Sequence, residues 1–143
     1  MRKASWIILS LMAGLMLLGS LVSASIAYRP DAPDEFGVGG PKLSDVAAWN
    51  PDVATAIRAR RGTASAYSAA FATLLLVVVA IPYRRGDVWA WWGLLGALVV
   101  LTGTILARVP MLGTQLGVPP AGIILSVGVV ALLLDVKRLK GKA

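Results

Sequence analysis

Four stretches of this 143-residue chain, 4–28, 62–83, 88–107 and 109–134, contain no Asp, Glu, Lys or Arg. A helix needs about 20 mainly apolar residues to cross the hydrocarbon of a bilayer, and each stretch can supply them. Without water in the bilayer core, each must satisfy its own backbone amides and carbonyls, which requires helix. Only 15% of the residues are charged, against about 25% in soluble domains. The sequence therefore predicts an all-α integral membrane protein, one membrane domain over 1–143. It would be a bundle of four transmembrane helices at about 5–28, 63–82, 88–107 and 119–136. An outer loop and amphipathic segment would occupy 29–62, and a basic tail 137–143.

The first stretch, which follows Arg2 and Lys3 and ends in "SASIAY", has features of a secretory signal. Its apolar run nevertheless continues for about twenty residues where a signal core has about 7–15, so it is read as a retained first helix. The chain contains neither cysteine nor histidine. Disulfides, thiol redox chemistry and thiolate or imidazole metal sites are thereby excluded. No cofactor is expected.

Basic residues set the threading. Arg2, Lys3, Arg84, Arg85, Lys137, Arg138, Lys140 and Lys142 fall on one side of the four helices, with Asp87 and Asp135. Arg29, Lys42, Arg58, Arg60, Arg61 and Arg108 fall on the other, with five acids: Asp31, Asp34, Glu35, Asp45 and Asp52. The more basic side is cytoplasmic by the positive-inside rule, which puts both termini inside. A pI near 10.4 then reflects topology and attraction to anionic lipid rather than nucleic-acid binding.

"IPYRRGDVWAWWG", residues 81–93, reads as the inner turn between the second and third helices. Pro82 ends the second helix; Tyr83 sits at headgroup level, and Arg84 and Arg85 face the cytoplasm. Gly86 permits the reversal, and Asp87 caps the third helix through its side chain. Trp89, Trp91 and Trp92 form an aromatic belt, with Trp89 and Trp92 on a shared face and Trp91 elsewhere. Arg84, Arg85, Trp89, Trp92, Lys137, Arg138 and Lys140 are the candidate contacts to lipid headgroups.

On the outer side, residues 28–45 carry three prolines and three glycines and are expected to lack regular structure. Asn50, Pro51 and Asp52 carry a helix-start signal. A short amphipathic helix is expected to follow, lying at the outer interface or extending the second helix outward by about two turns. Trp49 would anchor it, Val53, Ala56 and Ile57 would share one face, and Arg58 and Arg61 another. Arg58, Arg60, Arg61 and Arg108 invite an anion-binding role; the plainer alternative is snorkelling, with Arg58, Arg60 and Arg61 paired with Asp31, Asp34 or Glu35 and Arg108 a boundary residue of the third helix. Residues 109–122 form an outer turn, with Pro119 and Pro120 starting the fourth helix.

Small residues recur at four-residue spacing: Gly19, Ser23 and Ala27; Ala64, Ser68 and Ala72; Gly93 with Ala97; Gly103 with Ala107; Gly122 with Ser126. Such ridges permit close helix approach in lipid. The hydroxyls within the spans more often bond a backbone carbonyl than conduct ions. No ionisable residue stands well inside a span, and no catalytic constellation is evident.

A retained first helix, a long outer segment, "AIRARRGTASAY" leading into the second helix and the short "YRRGD" inner turn together resemble the small four-helix bacterial membrane proteins grouped as DoxX-like. That resemblance implies an accessory role beside a membrane oxidoreductase or related complex. Small multidrug exporters are less similar, because their acidic residue in the first helix has no counterpart in 4–28. The expected function is a non-catalytic subunit of a bacterial cytoplasmic-membrane complex, contacting partner subunits and anionic lipids. Trp49, Arg58, Arg60, Arg61 and Arg108 are its candidate partner or anion contacts. The alternative is a small oligomeric transporter or channel for an anion or apolar solute.

Overall fold

The computed structural model describes residues 4–29, 42–113 and 117–140, with side chains as far as Val136. Among these residues every regular element is helical. The order is α1 (Ala4–Ala27), α2 (Leu43–Trp49), α3 (Pro51–Val78), a π-helical turn (Val79–Tyr83), α4 (Val88–Leu106), α5 (Arg108–Leu112) and α6 (Val118–Lys140). Four continuous helical stretches are long and apolar enough to cross a membrane: Ala4–Ala27, Pro51–Tyr83, Val88–Leu112 and Val118–Val136. Many of their large apolar side chains, such as Leu11, Leu15, Leu18, Val100 and Leu133, are exposed. An apolar outer surface suits lipid and not water.

The chain divides into two compact units, Met1–Leu15 with Thr73–Ala143, and Met16–Ala72. In the first, α4 and α6 pack along one another. Ala90, Leu94, Leu98 and Thr102 are buried at four-residue intervals on α4, and Ala121, Ala131, Leu132 and Asp135 on α6. The seam needs a glycine: a Cβ at Gly128 would lie 2.5 Å from Leu98 Cδ1. Leu9, Met12 and Ala13 of α1 are also buried.

Pro82 does not end the second transmembrane helix. Its ring would collide with the carbonyl four residues back and it has no amide hydrogen to donate. Widening the turn over Val79–Tyr83 to π geometry relieves both problems, and Arg84 N–H bonds the Val79 carbonyl. Helical backbone then continues through Arg85. Gly86 terminates it at φ 88°, with Asp87 N–H donating to Pro82 O at 3.0 Å, a glycine-based helix ending. Asp87 occupies the position before α4, but its side chain makes no capping bond. Tyr83 is buried against the protein itself, 2% exposed.

In the second unit, α2 begins within the segment expected to be irregular; Lys42 N–H donates to Asp45 Oδ2 at 3.2 Å and fixes its first turn. Residues 30–41 lie outside the described residues. Asn50 Oδ1 accepts from Asp52 N (3.0 Å) and Val53 N (3.2 Å), as its position before Pro51 predicts. From there α3 and the π turn run unbroken for 33 residues, about 50 Å at helical rise. Of the two outer-segment alternatives, the helix extension is the one formed, and the boundary at 63 moves back to Pro51. At the third span's far end, residues 108–112, assigned to a turn apart from Arg108, are helical as α5.

The buried face of α3 also differs from the expected one. Ala54, Gly62, Ser65 and Ala72 are buried, with Arg58 and Arg61 half-buried in the same stripe; Val53 and Ala56 are exposed. Most of the small-residue ridges face outward as well. Gly19, Ala64, Gly93, Gly103, Ala107, Gly122 and Ser126 are exposed, whereas Ala27 and Ala72 are buried.

Candidate functional site

Two polar clusters stand inside this apolar chain, one in each unit. In the first unit Ser5 Oγ donates to Ala131 O at 2.7 Å. Its Oγ also hydrogen-bonds the Tyr83 hydroxyl. This chain of bonds ties α1, the π turn and α6 together. Trp91 turns inward and donates from Nε1 to Leu132 O at 3.0 Å, while Trp89 and Trp92 are 62% and 63% exposed. The expected division of the tryptophans between two faces is thus observed. Asp135, assigned to the inner loop side, is buried within the last turns of α6. Nearby in the fold, the Arg84 guanidinium carbon stands 5.0 Å from the Trp6 ring centroid, within cation–π range. Arg84 and Arg85, both exposed, line a cleft of about 350 Å³ with Ala80 and Ile81.

In the second unit α1 and α3 face one another through hydroxyls and guanidiniums. Ser20 Oγ bonds both Met16 O (2.8 Å) and Ser68 Oγ (2.7 Å). One helical turn further along α1, Ser23 Oγ receives Arg61 Nε at 3.3 Å and Ser65 Oγ at 3.0 Å. Arg58 lies one turn from Arg61 on the same face of α3. Its Nε is buried and has no hydrogen-bond partner. Gly62, between them, gives room for Tyr28: a Cβ there would lie 2.6 Å from the phenol oxygen.

The structure therefore brings Arg58 and Arg61 together on one half-buried stripe of α3. Arg60 points outward on α3, and Trp49, at the end of α2, is 81% exposed. Arg108 is exposed at the start of α5 in the other unit. Lys137, Arg138 and Lys140 continue the α6 backbone, but their side chains lie outside the described residues, as do Asp31, Asp34 and Glu35. Several hydroxyls bond carbonyls of their own helix as expected, including Ser25 to Val22 O, Thr104 to Val100 O and Ser126 to Gly122 O. Ser5 escaped the sequence reading because it stands in the first turn of a charge-free run; its distance of 78 residues from Tyr83 leaves no local signal.

No group of His, Cys, Asp and Glu able to hold a metal ion occurs among the described residues. Comparisons with protein-family models, curated proteins and solved structures return no match. The functional reading rests on the residues themselves.

Proposed function

We propose that this chain is a non-catalytic helical subunit that packs against partner proteins in a bacterial cytoplasmic membrane. One observation carries the reading: α4 turns Gly93, Gly96 and Gly103 outward, and a Cβ built at any of them meets nothing within 4 Å. Glycine costs helix stability, about 1 kcal/mol each relative to alanine. A lipid-facing position gains nothing from that cost, whereas a partner helix gains close backbone approach. The four spans form a bundle with both termini inside, the arrangement favoured by the basic inner segments. The α2 helix and the outer end of α3 form the outer docking element, with Trp49 at the interface. Arg84, Arg85, Trp89, Trp92 and the basic tail hold anionic lipid. The resemblance to DoxX-like proteins directs the search for partners toward a membrane oxidoreductase complex.

The test is purification of the tagged chain from its native membrane in mild detergent, followed by native mass spectrometry. Stoichiometric companions are expected, and Gly96→Leu or Gly103→Leu should release them while leaving the helical fold intact. A clean homo-oligomer carrying only lipid would sink the subunit reading.

The buried Arg58 Nε–H, which lacks a hydrogen-bond partner, favours a second reading, an oligomeric transporter or channel for an anion. Proteoliposome flux that falls on Arg58→Ala and Arg61→Ala would support it over the first.

A further inference from the structure

We infer that Arg84 and Arg85, together with Ala80 and Ile81, form a binding site for one anionic phospholipid, the guanidiniums taking its phosphodiester and the apolar pair the start of an acyl chain. The inference deepens the reading of these arginines as lipid contacts and rests on it.

The site is a product of the π turn. A helix that stopped at Pro82 would leave the two arginines on a loop. Instead the widened turn over Val79–Tyr83 carries helical backbone through Arg85, and Gly86 ends it there. Ala80 and Arg84 are four residues apart, as are Ile81 and Arg85, so each pair is adjacent on the helix surface. All four line one cleft of about 350 Å³, within the range of small-ligand sites, roughly 300–1,000 Å³. The apolar span ends at Tyr83. The cleft therefore crosses the boundary of the span, with Ala80 and the half-exposed Ile81 on the hydrocarbon side and both arginines beyond it. An apolar floor under a cationic rim repeats the order of groups along an anionic phospholipid.

The rim is held in place from α1. Ser5 Oγ hydrogen-bonds the Tyr83 hydroxyl and donates to Ala131 O, which fastens the first turn of α1 beside the π turn. The next residue along each helix, Trp6 and Arg84, then meet, with the guanidinium carbon 5.0 Å from the ring centroid. A ring face attracts the cation without supplying the oxygen acceptors that its N–H groups bond. Both arginines make further contacts within the protein and both stay exposed, so they are positioned and still reachable. Asp87 and Asp135 are the acids of the segments at this end, against eight bases: Arg2, Lys3, Arg84, Arg85, Lys137, Arg138, Lys140 and Lys142. That excess keeps the end cationic whichever bases the two acids meet.

The chemistry selects the ligand. A guanidinium fork matches phosphate oxygens with paired, charge-assisted hydrogen bonds. A zwitterionic lipid would bring its own cation to a cationic rim. Free phosphate has the charge but leaves Ile81 uncovered.

Native mass spectrometry of the delipidated full-length chain tests this, after mixing with micelles that contain equal parts phosphatidylglycerol and phosphatidylcholine. One tightly retained phosphatidylglycerol is expected. Arg84→Gln and Arg85→Gln should each weaken its retention by about tenfold to a hundredfold, the usual range for a lost charge-assisted bond. Ala80→Trp keeps every charge and fills the floor from an exposed position, so it should weaken retention to a similar degree; it also serves if an arginine variant fails to fold. Arg29→Gln, which removes one exposed charge elsewhere on the chain, should stay within about twofold. Retention unchanged in Ala80→Trp would reduce the effect to diffuse charge and overturn the cleft, while sparing the broader reading of a lipid-holding face. Equal retention of the two lipids would overturn both. Inorganic phosphate in about tenfold excess over lipid should leave the lipid bound; displacement would assign a free phosphate and overturn the lipid site. Cleft-dependent retention in a chain that purifies without companions retires the subunit reading and keeps the site. Companions without retention do the reverse.

Discussion

Gly128→Ala should destabilise the chain although it replaces glycine by the best helix former. The new Cβ would stand 2.5 Å from Leu98 Cδ1, where ordinary contact begins at 3.4 Å, and Leu98 Cδ2 and Cγ are already at 3.3 and 3.5 Å. Leu98 is 1% exposed, so swinging Cδ1 aside drives another atom into packed neighbours. Overpacking of this kind costs about 1–3 kcal/mol, and the gain in helix propensity offsets at most about 1 kcal/mol. A net loss of up to about 2 kcal/mol follows. Gly62→Ala provides the contrast, because its Cβ would meet the Tyr28 ring at 2.6–2.8 Å, an apparently similar clash. Tyr28, however, is 69% exposed and can rotate away, so Gly62→Ala should be neutral or stabilise by up to about 1 kcal/mol. Both variants can be ranked by dodecyl sulfate unfolding in mixed micelles, followed by circular dichroism. In the Gly128→Ala/Leu98→Ala double variant the clash is gone, and the coupling should exceed about 1 kcal/mol. Gly128→Ala equal to or more stable than the parent, or strict additivity with Leu98→Ala, would refute the close seam between α4 and α6.

Three further outcomes are expected. Ser5→Ala removes bonds to both Tyr83 and Ala131 and should cost about 1–3 kcal/mol in the same unfolding assay. Trp91→Phe loses the bond to Leu132 O and should cost about 1 kcal/mol, whereas Trp92→Phe should leave unfolding unchanged and alter only tryptophan quenching by brominated lipids. Since the chain has no cysteine, single cysteines at Lys42, Asp87 and Lys142 report topology directly. An impermeant maleimide added to intact cells should label position 42 alone, and labelling at 87 or 142 would reverse the threading.

Much of the helical layout was legible because it depends on local facts. A run of twenty uncharged residues needs internal backbone hydrogen bonding wherever it meets lipid, and the four long helices follow. Asn50 and Pro51 start α3 where their own chemistry allows, and Gly86 ends the preceding helix because only a residue without a Cβ enters φ 88° cheaply. The division of Trp91 from Trp89 and Trp92 needed only helical angles.

What the chain could not reveal by itself was which face of each helix turns inward. In a soluble helix the apolar stripe marks the buried side; here every span is apolar nearly all round, and that signal vanishes. Spacing alone could not separate the outward ridge at Gly93 and Gly103 from the tight contact at Gly128, because small residues at any phase look alike until a neighbour is present. Nor could it foresee that Pro82 would be absorbed by a π turn, since the tolerance depends on the helix having somewhere to continue. The sequence by itself determined the four long apolar helices, the start of α3 at Asn50–Pro51 and the uneven distribution of charge along the chain; several helix ends it did not. The tertiary structure alone decided that Arg58 and Arg61 share a seam with Ser23 and that Tyr83 reaches Ser5. Those contacts join residues 38 and 78 positions apart, across distances over which no local propensity acts.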